Sequence, residues 1–327
     1  MKNYIVRTIV KHTKEGYTYE YTDSNGIVGK SEVERVIKGI YLPPAHDKVQ
    51  ITRNRSAKIL AIGYDIKGRT QYTYNPAYIS KQSKSKFNHM VEFGESYKKI
   101  MSQIHQDINQ AGDYSKEKQI ALILRLVIDC GFRIGNDKYT KENKSFGVST
   151  LESHHVKLNG SQVTVDFRGK KGVQNRCPVK NPKLRKELRT KKRHSGKRGR
   201  LFTYRKGSTH YHVKSSDVNR YLKTFGDFTT KNFRTWNANI HFIQHLVKAD
   251  LDIDSTEAHK NKTINDALDS VAHRLHNTRS VCKSNYVDPY LLDVYLTHPK
   301  RFQDAFHGST TKEDITEHYI QLLKRPH

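Results

Sequence analysis

The apolar residues of this chain change their spacing once, and that change constrains the fold more than any other feature. In "HDKVQITRNRSAKILAIGYDIKGRTQYTYNPAYIS" (His46 to Ser80) they alternate with polar residues, and glycines stand at turn positions. Period two puts successive side chains on opposite faces of a strand. In "SKEKQIALILRLVIDCGFRIGNDKYT" the spacing is helical, with Ile120, Leu124 and Val127 on one stripe, Ser115 placed to cap the helix and Gly131 to end or bend it. Residues 1–80 are therefore expected as a small antiparallel β domain and residues 90–327 as a larger, mainly α domain. Residues 81–89, within the polar, basic and unpatterned "SKQSKSKFNH", are expected as a linker. The fold class is α+β.

Within the helical part, "HHVKLNGSQVTVDFRGKKGVQNRCPVK" breaks the pattern. Its turns at Asn159-Gly160 and Gly169-Lys170-Lys171-Gly172 predict a β-hairpin near 161–180. Helix returns around Val218–Leu222, with Ser215 or Ser216 as cap. In "KTINDALDSVAHRL" Ile264, Leu268, Val271 and Leu275 share a face, and Thr263 with Asp266 is read as a capping box.

Charge narrows the partner. Lys and Arg number 59 against 32 Asp and Glu, a formal net charge of +27. Such a field points to a polyanion, DNA or RNA before an anionic membrane. No apolar run approaches the roughly 18–20 residues that span a bilayer, and "MKNYIVRTIVKHTKEG" has no signal-peptide core. From Lys183 to Lys206 lie twelve basic residues opposed only by Glu187, the signature of a solvated, partly mobile arm on a nucleic-acid backbone. The three cysteines, Cys130, Cys177 and Cys282, contain no CxxC pair, and their odd number argues against a disulfide framework. The expectation is a reduced, intracellular, metal-free protein. There is no GxxxxGK[ST] loop and no dense acidic cluster of the two-metal kind.

Phosphodiester transfer without metal or nucleotide needs a nucleophile, cations for the non-bridging oxygens and an acid for the leaving alkoxide. Arg133, Lys170, Arg234 and Tyr286 stand in that order on separate loops or element ends. Lys171 is the neighbouring alternative for the acid. Tyr290 and Tyr295 are rival tyrosines, but "YLLDVYL" reads as a core helix. In the first domain Tyr72 and Tyr74 share one strand face and Gln71 the other. They are either half-buried sheet residues or groups laid against DNA, with Lys67 and Arg69 as phosphate partners.

Taken in order, these blocks resemble the type IB DNA topoisomerases of the poxvirus and bacterial kind, over most of the chain. "KGIYLPPAHDKVQI" and "GYDIKGRTQYTYNP" are similar to that family's N-terminal clamp. "CGFRIGNDKYTKENKSFGVSTL", "FRGKKGV", "KNFRTWNAN" and "VAHRLHNTRSVCKSNYVDP" are similar to its first-arginine, lysine-hairpin, second-arginine and tyrosine blocks. The resemblance implies a C-shaped clamp on duplex DNA, acting as a monomer without ATP, metal or other cofactor. It implies that Tyr286 forms a 3′-phosphotyrosyl link, that Arg133 and Arg234 hold the non-bridging oxygens, and that Lys170 protonates the leaving 5′ oxygen. Gln71, Tyr72 and Tyr74 would touch DNA from the clamp and Tyr139 from the catalytic domain. Supercoils of both signs would relax by strand rotation before religation, in whichever compartment holds the DNA, a bacterial cytoplasm or a viral replication site.

Two positions depart from the poxvirus pattern. Asn277 stands nine residues before Tyr286, where those enzymes carry histidine. As in bacterial members, the resemblance makes Asn277 a neutral donor to the phosphate, leaving His276 as a structural or outer contact. Asn136 replaces a DNA-facing lysine. Two other readings compete. A tyrosine recombinase would use similar groups but a helical N-terminal domain. A non-enzymatic basic binder would share the charge but leave the ordered tyrosine and cations unexplained.

Overall fold

The computed structural model describes residues 3–249 and 255–324. The chain divides into two compact units, Met1–Phe87 and Asn88–His327.

The first unit is one antiparallel sheet built from β1 (Tyr4–Thr13), β2 (Gly16–Asp23), β3 (Gly26–Ile27), β4 (Asp47–Thr52), β5 (Ile59–Tyr64) and β6 (Thr70–Tyr74), in the order β3-β2-β1-β4-β5-β6. Alternation sorts its faces: in β4, Val49 and Ile51 are buried while Lys48 and Gln50 are exposed. The buried face forms one core, Ile5, Val49, Ile51 and Ala61, with Val28 and with Val33 and Val36 of helix α1 (Lys30–Ile37). That helix was not expected, because two buried valines in eight residues are too few to display a helical period. Pairing of Gln50 with Ile62, and of Ile62 with Tyr72, carries Tyr72 and Tyr74 to the opposite, open face.

Helix α2 (Pro76–Gln110) runs through 81–89, so the stretch expected as an unpatterned linker is helical, and the division between the units falls inside it. Its serines, lysines and glutamine include no Gly or Pro to break a helix, and polarity alone does not separate an exposed helix from a linker. Helix α3 (Lys116–Cys130) follows, with the Ser115 hydroxyl accepting from the Lys118 amide and Gly131 closing it in the left-handed region. After α4 (Asp137–Asn143) comes the meander β7 (Val156–Asn159), β8 (Gln162–Arg168) and β9 (Gln174–Pro178). Next are α5 (Pro182–His194), the small hairpin β10 (Thr203–Lys206) and β11 (Thr209–His212), α6 (Ser215–Leu222) and α7 (Thr230–Lys248). The chain closes with α8 (Glu257–Leu275), α9 (Arg279–Asn285), α10 (Pro289–Thr297), α11 (Pro299–Phe306) and α12 (Lys312–Lys324).

The core of the second unit centres on Trp236, fully buried among Phe93, Tyr97 and Tyr319 at ring separations of 5.3–5.9 Å. Gly94 makes that possible, since a Cβ there would lie 2.5 Å from the indole. Trp236 is thus a core residue.

Three local expectations are corrected. Helix α6 has no serine cap; Lys214 precedes it, and the Asp217 carboxylate accepts the Lys214 amide instead. Helix α8 begins two turns before the expected capping box, at Thr256, and the Thr263 hydroxyl donates back to the His259 carbonyl inside the helix. Cys130 and Cys177 form a disulfide, leaving buried Cys282 as the free thiol. An odd count forbids only complete pairing, and the fold brings together two cysteines separated by 47 positions in sequence.

The basic segment is also less free than expected. Glu187 of α5 pairs with buried Lys118 at 3.2 Å, and burial lowers Lys191 to about 8, its ammonium donating to Gln119. The exposed cations of the segment are Lys183, Lys186, Arg193, Lys197, Arg198, Arg205 and Lys206.

Candidate active site

The site begins at the end of α3. Gly131 sits at φ 64°, and a Cβ on it would come within 2.5 Å of the Arg274 carbonyl, so only glycine lets α3 end this close to the end of α8. Phe132 then anchors the turn, fully buried against Phe167 and His276 at ring distances of 4.9 and 5.3 Å. Arg133 follows directly. Its carbonyl accepts the Val148 amide at 2.9 Å, and the backbones of Gly135 and Gly147 cross so closely that a Cβ on Gly147 would lie 2.4 Å from Gly135 Cα.

Arg234 comes from α7 and is 4 % exposed. Its Nη2 donates to the Leu275 carbonyl at 3.1 Å and lies 3.5 Å from the Tyr286 hydroxyl. Its Nε and Nη1 are buried with no hydrogen-bond partner among the described residues. A guanidinium with unused donors in a buried setting is arranged for an anion.

Asn277 lies in the turn between α8 and α9, and its Oδ1 accepts from Arg133 Nη2 at 2.9 Å. Its Nδ2 donor is buried with no partner within hydrogen-bonding distance among the described residues, yet it is close enough to Tyr286 to help lower that phenol. Tyr286 closes α9, with its amide donating to the Cys282 carbonyl at 3.0 Å. Burial alone would raise its phenol, but Arg234 and then Arg133 outweigh burial and hold it below the usual tyrosine range. Burial likewise presses the Arg234 guanidinium downward.

The structure therefore brings Arg133, Arg234, Asn277 and Tyr286 together. Among the described residues no side-chain hydrogen bond joins Lys170 to that cluster. It opens a single turn, Lys170–Gly172, with its side chain exposed and Lys171 in the left-handed region at φ 62°. Asn175 braces this turn by donating to the Val173 carbonyl at 2.8 Å. Tyr139 is half exposed on α4, whose first turn is capped by the Asn136 side chain and held by an Arg200–Asp137 ion pair. Asn136 thus has a structural task at the position where a DNA-facing lysine was the comparison.

On the first unit, Tyr72 and Tyr74 are 51 % and 39 % exposed, with rings 6.1 Å apart. Arg69 is bound to Asp65 at 2.7 Å, and the same carboxylate accepts from Gln71 at 3.1 Å. Arg69 is thus an ion-paired cation, whereas Lys67 is exposed at the turn. Among the described residues no three His, Cys, Asp or Glu side chains converge on a metal position, and no helix is long and apolar enough to cross a membrane.

Two residues were not anticipated. Asn239 of α7, fully buried, donates to the carbonyls of Tyr286 and Thr235 at 3.0 and 2.9 Å and accepts the Asp288 amide at 2.8 Å. Asp288 caps α10 through the Tyr290 amide and accepts from Tyr319 at 3.3 Å. An Asp before Pro289 is a legible helix start; a lone amide inside α7 carries no such signal.

The chain matches the family model described as the eukaryotic DNA topoisomerase I catalytic core over residues 75–295. It is 33% identical to DNA topoisomerase 1B of Acanthamoeba polyphaga mimivirus, covering 96% of each chain. It is 25% identical to DNA topoisomerase 1B of Vaccinia virus (strain Copenhagen), covering 79% of each. Identity to DNA topoisomerase 1 of Schizosaccharomyces pombe is also 25%, over 76% of this chain and 31% of that protein.

Proposed function

The chain belongs to the type IB DNA topoisomerases, and from that premise we propose that Tyr286 is its nucleophile and that Arg133, Arg234 and Asn277 form the cradle for the scissile phosphate. The phenol, made more acidic by Arg234 and Arg133, gives its proton to solvent as its oxygen attacks phosphorus; the bond to the 5′ oxygen breaks, and the 3′ end stays on the enzyme as a phosphotyrosine. Negative charge gathers on the non-bridging oxygens during the attack, where preorganised cationic donors act most strongly. Lys170 reaches the site from its exposed turn when DNA is bound and supplies the proton to the leaving 5′ oxygen. The free strand then rotates, releasing supercoils of either sign, and the reverse attack religates it. Torsional energy in the DNA drives the cycle, without ATP or a divalent metal.

The observation that carries this reading is the Arg234 guanidinium 3.5 Å from the Tyr286 hydroxyl, with two of its nitrogens unpartnered among the described residues. We assign Gln71, Tyr72, Tyr74 and Lys67 to DNA contacts from the β unit and Tyr139 to contacts from α4, in a monomeric C-shaped clamp working where the cell or virus keeps its DNA. Arg69 contributes there only by exchanging Asp65 for phosphate.

Relaxation of supercoiled plasmid in EDTA without ATP tests the proposal. Wild type should relax the plasmid and leave a denaturant-trapped protein–DNA adduct, and Tyr286→Phe should do neither. Tight DNA binding with no relaxation by either form would replace this reading with a recombinase or a plain binder.

A further inference from the structure

Helix α8 ends in an unusual way. The residue after Leu275 adopts φ 51° and ψ 54°, the left-handed conformation that usually selects glycine at a helix C-terminus, and here it is His276. A side chain held in that region at a functional site needs an explanation in contacts. The imidazole has two. It stacks on Phe132 with ring centroids 5.3 Å apart and planes 29° apart, and its Nε2 lies 3.3 Å from the Cys130 carbonyl. That carbonyl belongs to the last turn of α3, where oxygens lack partners within the helix. Two residues earlier on α8, Arg274 Nη2 donates to the neighbouring Asp129 carbonyl at 3.4 Å.

Two consecutive residues of one turn therefore hold the same loop at both ends. His276 grips its base, at Cys130 and Phe132, and Asn277 meets its tip, accepting from Arg133 at 2.9 Å. We propose that His276 is a positioning residue, trading an unfavourable backbone conformation for a side chain that sets Arg133 in register with Asn277 and Tyr286. The proposal rests on Arg133 acting at the phosphate, as argued above. Burial keeps the imidazole below its usual range, so near neutrality the ring is an uncharged Nε2–H donor and adds no third cation beside Arg133 and Arg234.

The backbone supplies a clean test, because glycine suits this conformation better than histidine does. His276→Gly should keep or raise Tm and leave DNA affinity within about twofold, while slowing single-turnover cleavage about tenfold, the scale of coupling between neighbouring residues. His276→Asn also accepts the left-handed region but is too short for both contacts, so it should slow cleavage similarly. A purely structural residue would lose Tm and rate together. The same change made in Arg133→Ala should alter cleavage by less than about twofold, since the group being positioned is gone. Normal cleavage by both His276 variants, or an equal loss with and without Arg133, would overturn the proposal. Normal cleavage by Arg133→Ala alone would overturn the reading of Arg133, and this inference with it.

Discussion

Asn239 is bound to the backbone on both sides of Val287, the residue that follows the candidate nucleophile, donating to the Tyr286 carbonyl at 3.0 Å and accepting the Asp288 amide at 2.8 Å. Arg234 lies on the same helix, so one rigid element sets the guanidinium and the chain carrying the phenol. Asn239→Ala would leave a buried carbonyl and a buried amide unpaired, costing about 1–3 kcal/mol. Chemical denaturation should report that loss, and single-turnover cleavage should slow beyond what the unfolded fraction explains. Unchanged cleavage would show that Tyr286 is positioned by other contacts.

Asn277 differs in kind, because its Nδ2 is unused among the described residues. A donor that engages mainly in the transition state leaves binding alone when removed. Asn277→Ala should slow cleavage about 100-fold, as loss of one oxyanion donor typically does, while gel-shift affinity changes little. Matching losses in affinity and rate would assign Asn277 to ground-state binding.

With a net charge of +27, affinity for duplex DNA should fall steeply with salt. The log–log slope should be about −0.9 for each phosphate neutralised. Lys67→Ala should make it shallower by about one contact. Arg69→Ala should change it less, because Asp65 already occupies that cation. Salt-insensitive binding would contradict the clamp.

Acid should destabilise the fold through buried histidines. Burial lowers His155 and His241 to about 4, against the ordinary 6.5. The unfolded chain thus binds more protons than the folded one between those values, so stability rises with pH across that window and falls on acidification. The denaturation midpoint should drop between about pH 6.5 and 4, and His241→Gln should flatten part of the drop. A midpoint constant over that range would remove these rings from the account.

What the sequence reveals of this molecule follows from how local the cause is. Ser115 and Gly131 act on their own backbone, and the apolar stripe through Ile264, Leu268, Val271 and Leu275 lies within one helix, so both are readable. Arg133, Arg234 and Tyr286 were candidates because they stand in three blocks whose order is itself informative, and Asn277 came in with the tyrosine block through the resemblance. Asn239 was not, since its partners lie 47 and 49 residues away. Nor was the conformation of His276, where the usual marker of a left-handed cap, glycine, is missing. The start of α8 was misplaced because Thr256 and Thr263 are chemically alike, and only the tertiary fold decides which ends a helix and which lies inside it.

The bond between Cys130 and Cys177 makes a closed ring of the chain between α3 and β9, and both Arg133 and Lys170 lie inside it. A protease cutting the exposed turn at Lys170 or Lys171 would open this ring without releasing a fragment. The nicked protein would run as one band on a non-reducing gel and as two after reduction. Severed there, the enzyme would still hold both cation-bearing segments on a single covalent molecule.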